Sequence, residues 1–373
     1  MSTLNVATLT SQSGVKLPAY ATSSRPANPE TGLLIYNTTT NNVEYWNGST
    51  WSGFTRASTI VATGGTITTS GVYKIHAFYG DGTFTVTSAS QGATIEIMVL
   101  GGGGAGGSDM GGGGGAGGLI YNAAFPISAG SYACTVGGGG TGYNDYGSSP
   151  RTGGQGANSV FGNSLIIAYG GGGGSSGHYY NPGEWAGIAG PQATQGGCGG
   201  GGSASYRSFN PDYCGGRPPG MGTAGQGFRG GWGSYCQGEY YAGGGGGTGA
   251  LGQADKWCAV RPGIGGPGTY LGILGTNYYW GGGGGGAGHN GNGQGIGGLG
   301  GGGGGGRYYT NVAGAPGGTG GLNVGGTAGN SGPSNGNAGA GGTNTGSGGG
   351  GGCHYQGYGG NGGSGIIVIR YVA

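Results

Sequence analysis

Charged side chains are scarce in this sequence. Lysine and arginine total 12, aspartate and glutamate 10, in 373 residues. No basic run occurs, so a nucleic-acid surface has nothing to build on. Large apolar side chains are also few, with 7 phenylalanines and 4 methionines. An enzyme of ordinary side-chain core is therefore not expected. No stretch approaches 18 consecutive apolar residues, which argues against membrane insertion. The N-terminus, MSTLNVATLTSQSG, lacks a basic start and an apolar segment, so the expectation is assembly in a cytoplasm. No heptad pattern is present. Proline, at 14, is too rare for collagen, and glycine does not recur every third residue.

What is there is glycine, 116 residues of it. Residues 1–100 hold 10, residues 366–373 none, and the remaining 106 fall in 101–365. These edges set boundaries at 100/101 and 365/366, and the β-rich start of the chain is expected to divide once more at 57/58, giving four parts. Residues 1–57 are expected to form an N-terminal β-module for attachment and trimerisation, and 58–100 to supply strands of a sandwich. Residues 101–365 form a glycine-rich bundle with hairpins and loops, and 366–373 a closing strand.

Within the first part, Leu33–Tyr36, Val43–Trp46 and Thr50–Phe54 are β-formers separated by turn residues. Asn47-Gly48 is a type I′ hairpin signal. So small a meander is not stable alone, and two further copies of itself are the simplest partners. Tyr73–Tyr79 and Thr83–Thr87 flank Gly80-Asp81-Gly82 and predict a hairpin. Thr94–Leu100 and Ile366–Val372 are contiguous apolar strands, suited to central positions buried on both faces. They are expected to be neighbours in one sheet. Further strands are expected at Leu119–Asn122, Tyr132–Val136 and Ser164–Tyr169.

Nine runs of four or more glycines lie at 101–104, 111–115, 137–140, 170–174, 199–202, 243–247, 281–286, 300–306 and 348–352. Glycine is a poor helix former and buries no side chain. It can adopt extended helices of three residues per turn, whose N–H and C=O groups all point outward. Several packed side by side would satisfy one another, and only glycine allows that spacing. The expected fold is mostly β, without significant α-helix: a β-sandwich with a large inserted bundle of polyglycine-II helices.

The residues carry a resemblance. YKIHAF…GDGTFTV…IEIMVLGGGGAGG, GGLIYNAAFPISAGSYACTVGGGG, GANSVFGNSLIIAYGGGGG and GGSGIIVIRY resemble, in this order over roughly 70–373, the glycine-rich domain of bacteriophage tail-fibre proteins. LPAYATSSRPANPETGLLIYNTTTNNVEYWNGSTW is similar to a short module of phage fibre and virion proteins. The resemblance implies a non-enzymatic, homotrimeric or tip-mounted structural protein of the virion. It would hold other tail or capsid proteins through residues 1–57 and engage host surface polysaccharide or an outer-membrane protein. Tail-tip adhesins of this sort, and the glycine-rich region of anaplastic-lymphoma-kinase-type receptors, place a glycine-helix bundle beside β-strands. Two alternatives stand beside the adhesin. One is a head-fibre, capsid-decoration or other virion protein without a receptor role. The other is a self-assembling bacterial extracellular filament protein.

Recognition belongs on the loops between runs, since a rigid scaffold presents loops that can vary. The stretch 175–280 concentrates aromatics, which give rigid amphipathic contact area. Candidate receptor-binding residues are Tyr179, Tyr180, Trp185, Tyr206, Arg207, Tyr213, Trp232, Tyr240, Tyr241, Trp257, Tyr278, Tyr279 and Trp280. Phe209 lies among them, and Arg217, Arg229 and Arg261 add charge for carboxylates or phosphates. The competing reading is that these aromatics shield the bundle's sides.

His76, His178, His289 and His354 are isolated along the chain, and Cys353-His354 does not define a triad. No carboxylate pair suits glycan hydrolysis, Glu184 and Asp212 being expected in loops. Neither a cofactor nor a metal is expected. The six cysteines, Cys134, Cys198, Cys214, Cys236, Cys258 and Cys353, show no close metal-ligand pairs and are expected to be reduced at assembly. Matches to G-x-G-x-x-G are compositional.

Overall fold

The computed structural model describes residues 16–54, 60–143, 151–177, 192–204, 216–236, 239–254, 261–289, 295–308, 314–328, 336–354 and 357–373. They contain strands and a single 3-10 turn, and no α-helix. Among them, no helix is long and apolar enough to cross a membrane. The chain divides into two compact units, residues 1–57 and 58–373.

The first unit is a four-stranded sheet of β1 (Ala19–Tyr20), β2 (Leu34–Asn37), β3 (Asn42–Trp46) and β4 (Trp51–Gly53), in that order. β1 runs parallel to β2, and β2–β4 form an antiparallel meander. The β3–β4 turn departs from the expected type I′ form. Gly48 has positive φ but Asn47 does not. Asn47 instead accepts the Ser49 and Thr50 amides on its Oδ1, at 2.9 and 2.8 Å. This Asx turn closes a four-residue loop between the paired Trp46 and Trp51.

The second unit has two five-stranded sheets. One has the order β10 (Leu119–Pro126), β9 (Thr94–Leu100), β18 (Ile366–Val372), β7 (Tyr73–Phe78), β6 (Thr66–Ser70). The other has the order β13 (Ile166–Ala168), β12 (Ser159–Phe161), β11 (Gly130–Thr135), β8 (Gly82–Ala89), β5 (Ile60–Thr63). As the sequence predicts, Thr94–Leu100 and Ile366–Val372 are neighbours in one sheet; they run antiparallel, with Ile367 opposite Val99 and Ile369 opposite Ile97. The sheets share one core of Phe84, Val86, Ile95, Ile97, Val99, Phe161, Ile367 and Ile369.

The hairpin expected across Gly80-Asp81-Gly82 does not form, because β7 and β8 belong to different sheets. β7 pairs instead with β6 and β18. Asp81 is engaged elsewhere, its Oδ1 accepting the Val136 amide at 2.8 Å. Burial explains the separation: β7, β9 and β18 present apolar side chains on both faces, so each needs a layer on either side. Their second face, with Ile75, Met98, Leu100, Ile366 and Val368, is covered by a hairpin of β16 (Thr269–Leu271) and β17 (Tyr278–Trp280), through Ile273 and Trp280. A further short hairpin joins β14 (Ser234–Cys236) to β15 (Glu239–Tyr241).

The glycine runs form neither ladder nor coil. Along 102–107 the amides donate in turn to three neighbours. Gly102 and Ala105 bond Ala157 and Gly154, Gly103 and Gly106 bond Gly363 and Gly360, and Gly104 and Gly107 bond Gly115 and Gly112. Every third residue returns to the same partner segment. Run 111–118 repeats the pattern and is surrounded. It donates to 169–175, 243–246 and 346–352 and accepts from 104–107, 198–201 and 284–287. Its neighbours are mostly antiparallel. Gly112 and Gly115, for example, bond Ser175 and Gly172, the partner number falling as its own rises. The amides of these two runs are thus satisfied by other backbone groups without side chains, each bond contributing roughly 0.5–1.5 kcal/mol net.

Candidate functional site: the far end of the glycine layer

The runs have a near end against the sheets and a far end. Near the sheets, Gly101 follows β9 and its amide bonds Gly118, which leads into β10. Gly365, before β18, bonds Gly137. At the far end the chain turns at Ser108, Asp109 and Met110, the last two with positive φ. There Gly177 donates to Asp109 at 2.8 Å, Ala204 to Met110 at 3.3 Å and Ala287 to Gly111 at 3.0 Å. Bridges join Tyr241 to Gly288 and Gly288 to Arg307. Segments 170–177, 198–204, 281–288, 302–308 and 347–354 therefore end at one level, alongside the start of 241–248.

On this level lies an aromatic cluster that sequence spacing concealed. His289 stacks on Tyr308, centroids 5.1 Å apart at 7°. His354 meets His289 edge-on at 5.8 Å and Tyr308 at 5.4 Å. Tyr240 contacts His289 at 5.3 Å, and Tyr235 packs on Tyr240 at 4.8 Å across β14–β15. The Asp109 carboxylate accepts from His354 Nδ1 at 2.8 Å, and Glu239 Oε2 lies 3.9 Å from His289 Nδ1. Burial holds the His289 pKa below the ordinary imidazole value, and the neighbouring His354 lowers it further. The histidines read as isolated along the chain because the 64 residues between His289 and His354 hide a shared level.

Cys353 adjoins this cluster. It is buried, and burial first, then Asp109, pushes its pKa up to about 12. Its thiol donates to the His354 carbonyl at 3.2 Å. Cys134 and Cys198 are likewise free, buried thiols, each pushed up to about 12. Among the described residues, no group of three or more His, Cys, Asp or Glu side chains is arranged to hold a metal. What the cluster offers is flat ring surface, imidazole nitrogens and carboxylates, a chemistry of stacking and hydrogen bonding.

The structure distributes the sequence candidates unevenly. Tyr240 and Tyr241 are at the far end, Tyr240 half-buried and Tyr241 buried. Trp232 is half-buried on the segment leading to β14. Tyr278, Tyr279 and Trp280 lie at the other end, in the hairpin covering the sheet. Trp280 is fully buried, its Nε1 donating to the Leu271 carbonyl at 3.1 Å, and gives a partner nothing to touch. Arg217 is buried, Arg229 donates to Gly230 at 2.9 Å and Arg261 is exposed. Tyr179, Tyr180, Trp185, Tyr206, Arg207, Tyr213 and Trp257, with Phe209, lie outside the described residues. An open cleft of about 640 Å³, lined by Tyr143, Arg151, Thr152, Gln155 and Thr194, was also not foreseen. The Arg151 guanidinium sits 5.7 Å over the Tyr143 ring there.

Residues 79–324, more than half of the chain, match the glycine-rich domain family, and the chain belongs to it. At the N-terminus, residues 1–69 match a phage tail-like trimerisation region. The chain has no match among the curated proteins.

Proposed function

We propose that the protein is a homotrimeric structural component of a phage-type tail, a tail fibre or tail-tip adhesin, that presents the far end of a polyglycine-II bundle to surface glycan of the host cell. The observation that carries the reading is the period-three exchange of amides among the glycine runs. It supports a three-residue-per-turn helix for each run and a stiff bundle whose turnarounds gather opposite the sheets. A stiff body with its variable connections at one end suits contact at a distance. The half-buried rings of Tyr235, Tyr240 and Tyr308, with His289 and His354, suit stacking on sugar faces. The trimerisation match supports three copies and a place on the virion tail, where residues 1–57 would join the other tail proteins.

The test is competition. Purified full-length protein added to host cells before the virions should lower adsorption, and gold-labelled antibody to residues 203–242 should mark tail tips. Folded protein that leaves adsorption unchanged would remove the receptor role. Label on the capsid would move the protein within the virion.

A further inference from the structure

We infer that the trimer closes on the bare face of the N-terminal meander, three copies of Leu34, Tyr36, Val43, Tyr45 and Phe54 forming one shared apolar core. This rests on the trimeric reading above. Register defines the face. Leu34 stands opposite Tyr45 and Tyr36 opposite Val43, and Tyr45 is in turn opposite Ser52. The Phe54 amide reaches the Val43 carbonyl at 3.3 Å, continuing the same face, and its ring packs on Tyr45 at 5.1 Å. Ala19 extends it beside Tyr36.

The two faces of this sheet are treated differently by their own chain. Ile35 and Asn37 are fully buried and Glu44 nearly so. Segment 22–30 crosses that side, where Arg25 bonds Glu44 at 2.7 Å and lies 6.0 Å over the Trp51 ring. Asn37 also donates to Glu44 at 2.9 Å. On the other side Leu34, Tyr36, Val43 and Phe54 remain 38, 37, 36 and 59% exposed. A sheet of this size with one apolar face in water is marginal alone.

Composition selects the occupant. Near a three-fold axis each side chain meets two copies of itself, so a charge there would repel its own images. The face of Ala19, Leu34, Tyr36, Val43, Tyr45, Ser52 and Phe54 carries none. A charge-free face of aromatic and branched residues suits a permanent interface between identical chains. All of it falls within the matched trimerisation region, residues 1–69.

The experiment is mass measurement by light scattering on the full-length chain. Wild type should weigh three times the 35.5 kDa protomer. Val43→Glu should reduce the mass threefold, to the protomer. Val324→Glu, at a position 64% exposed in the second unit, should leave the trimer intact. A second measurement does not depend on disrupting the fold. Ser52→Cys, on the inferred face, should give protomer–protomer products with a short thiol cross-linker, above the wild-type background. Asn42→Cys, on the opposite face, should not. A monomeric wild type would overturn the trimeric reading itself. A trimeric wild type whose Val43→Glu variant stays trimeric, or whose Ser52→Cys variant fails to cross-link, would overturn only this face.

Discussion

His76 shows how one residue ties a side-chain core to solution conditions. Its ring lies between Phe84, edge-on at 5.1 Å, and Tyr371, stacked at 5.6 Å. Nδ1 reaches the Gly64 carbonyl at 2.8 Å and Nε2 the Tyr371 hydroxyl at 3.1 Å. Fully buried, the ring has its pKa lowered by desolvation, against the bond to Gly64. The unfolded chain therefore takes up a proton at about pH 6.5 while the folded chain resists it, so stability falls as pH drops below that point. The slope is at most about 1.4 kcal/mol per pH unit for one group, and it ends at the folded pKa. Thermal melts between pH 7.5 and 5 should show the midpoint falling for wild type. His76→Gln should start lower and slope less, His289 supplying a residual slope of the same sign. Equal slopes would remove His76 from the account.

At the scale of elements, the β16–β17 hairpin is held on the sheet by Arg370 as well as by Trp280. Arg370 bonds Glu96 through Nε and Nη2, at 2.5 and 2.9 Å, and donates from Nη1 to the Gly272 carbonyl at 2.8 Å. Its guanidinium lies 4.6 Å over the Tyr73 ring. The Tyr121 hydroxyl also donates to Glu96, and burial, with that bond, pushes its pKa up to about 12. Arg370→Met leaves Glu96 without its cation in a partly buried site and should cost roughly 2–3 kcal/mol. Amide exchange should rise first in 269–280, ahead of β7 and β9. Uniform acceleration would show that the hairpin is not separately anchored. The pairing of β9 and β18 was legible because both strands carry nearly continuous apolar runs, Ile97–Leu100 and Ile366–Ile369, which a doubly covered strand tolerates. The covering hairpin was not, because Tyr278–Trp280 reads equally as a surface patch or a core edge. The sheet change between β7 and β8 was hidden for a similar reason. A glycine–aspartate–glycine turn serves a hairpin and a crossing alike, and only the two-sided burial of β7 decides between them.

Across the whole molecule, stability rests on close approach of backbones. A Cβ at Gly284 would fall inside contact distance of the Gly349 carbonyl, and one at Gly303 inside that of Gly339. At Gly82 the nearest atom is 3.1 Å away, on the movable Phe78 ring. Gly284→Ala and Gly303→Ala should each cost about 3 kcal/mol or more, since a bonded carbonyl must be displaced. Gly82→Ala should cost about 1 kcal/mol or less. Equal melting temperatures for the three variants would contradict a layer held by amide exchange. The glycine bias and the sharp edges of residues 101–365 announced the layer in the sequence. Of the far-end cluster only Tyr240 was among the sequence candidates, since Asp109, Tyr240, His289, Tyr308 and His354 lie on five separate segments.

The three-residue repeat also constrains how such a protein can change length. One residue inserted within a run turns every later amide by a third of a revolution, toward a neighbour already bonded to another segment. Three inserted residues restore each amide to its former side. Runs should therefore lengthen and shorten in triplets, lest all six surrounding segments be disturbed at once, while the connections between runs are free of that arithmetic.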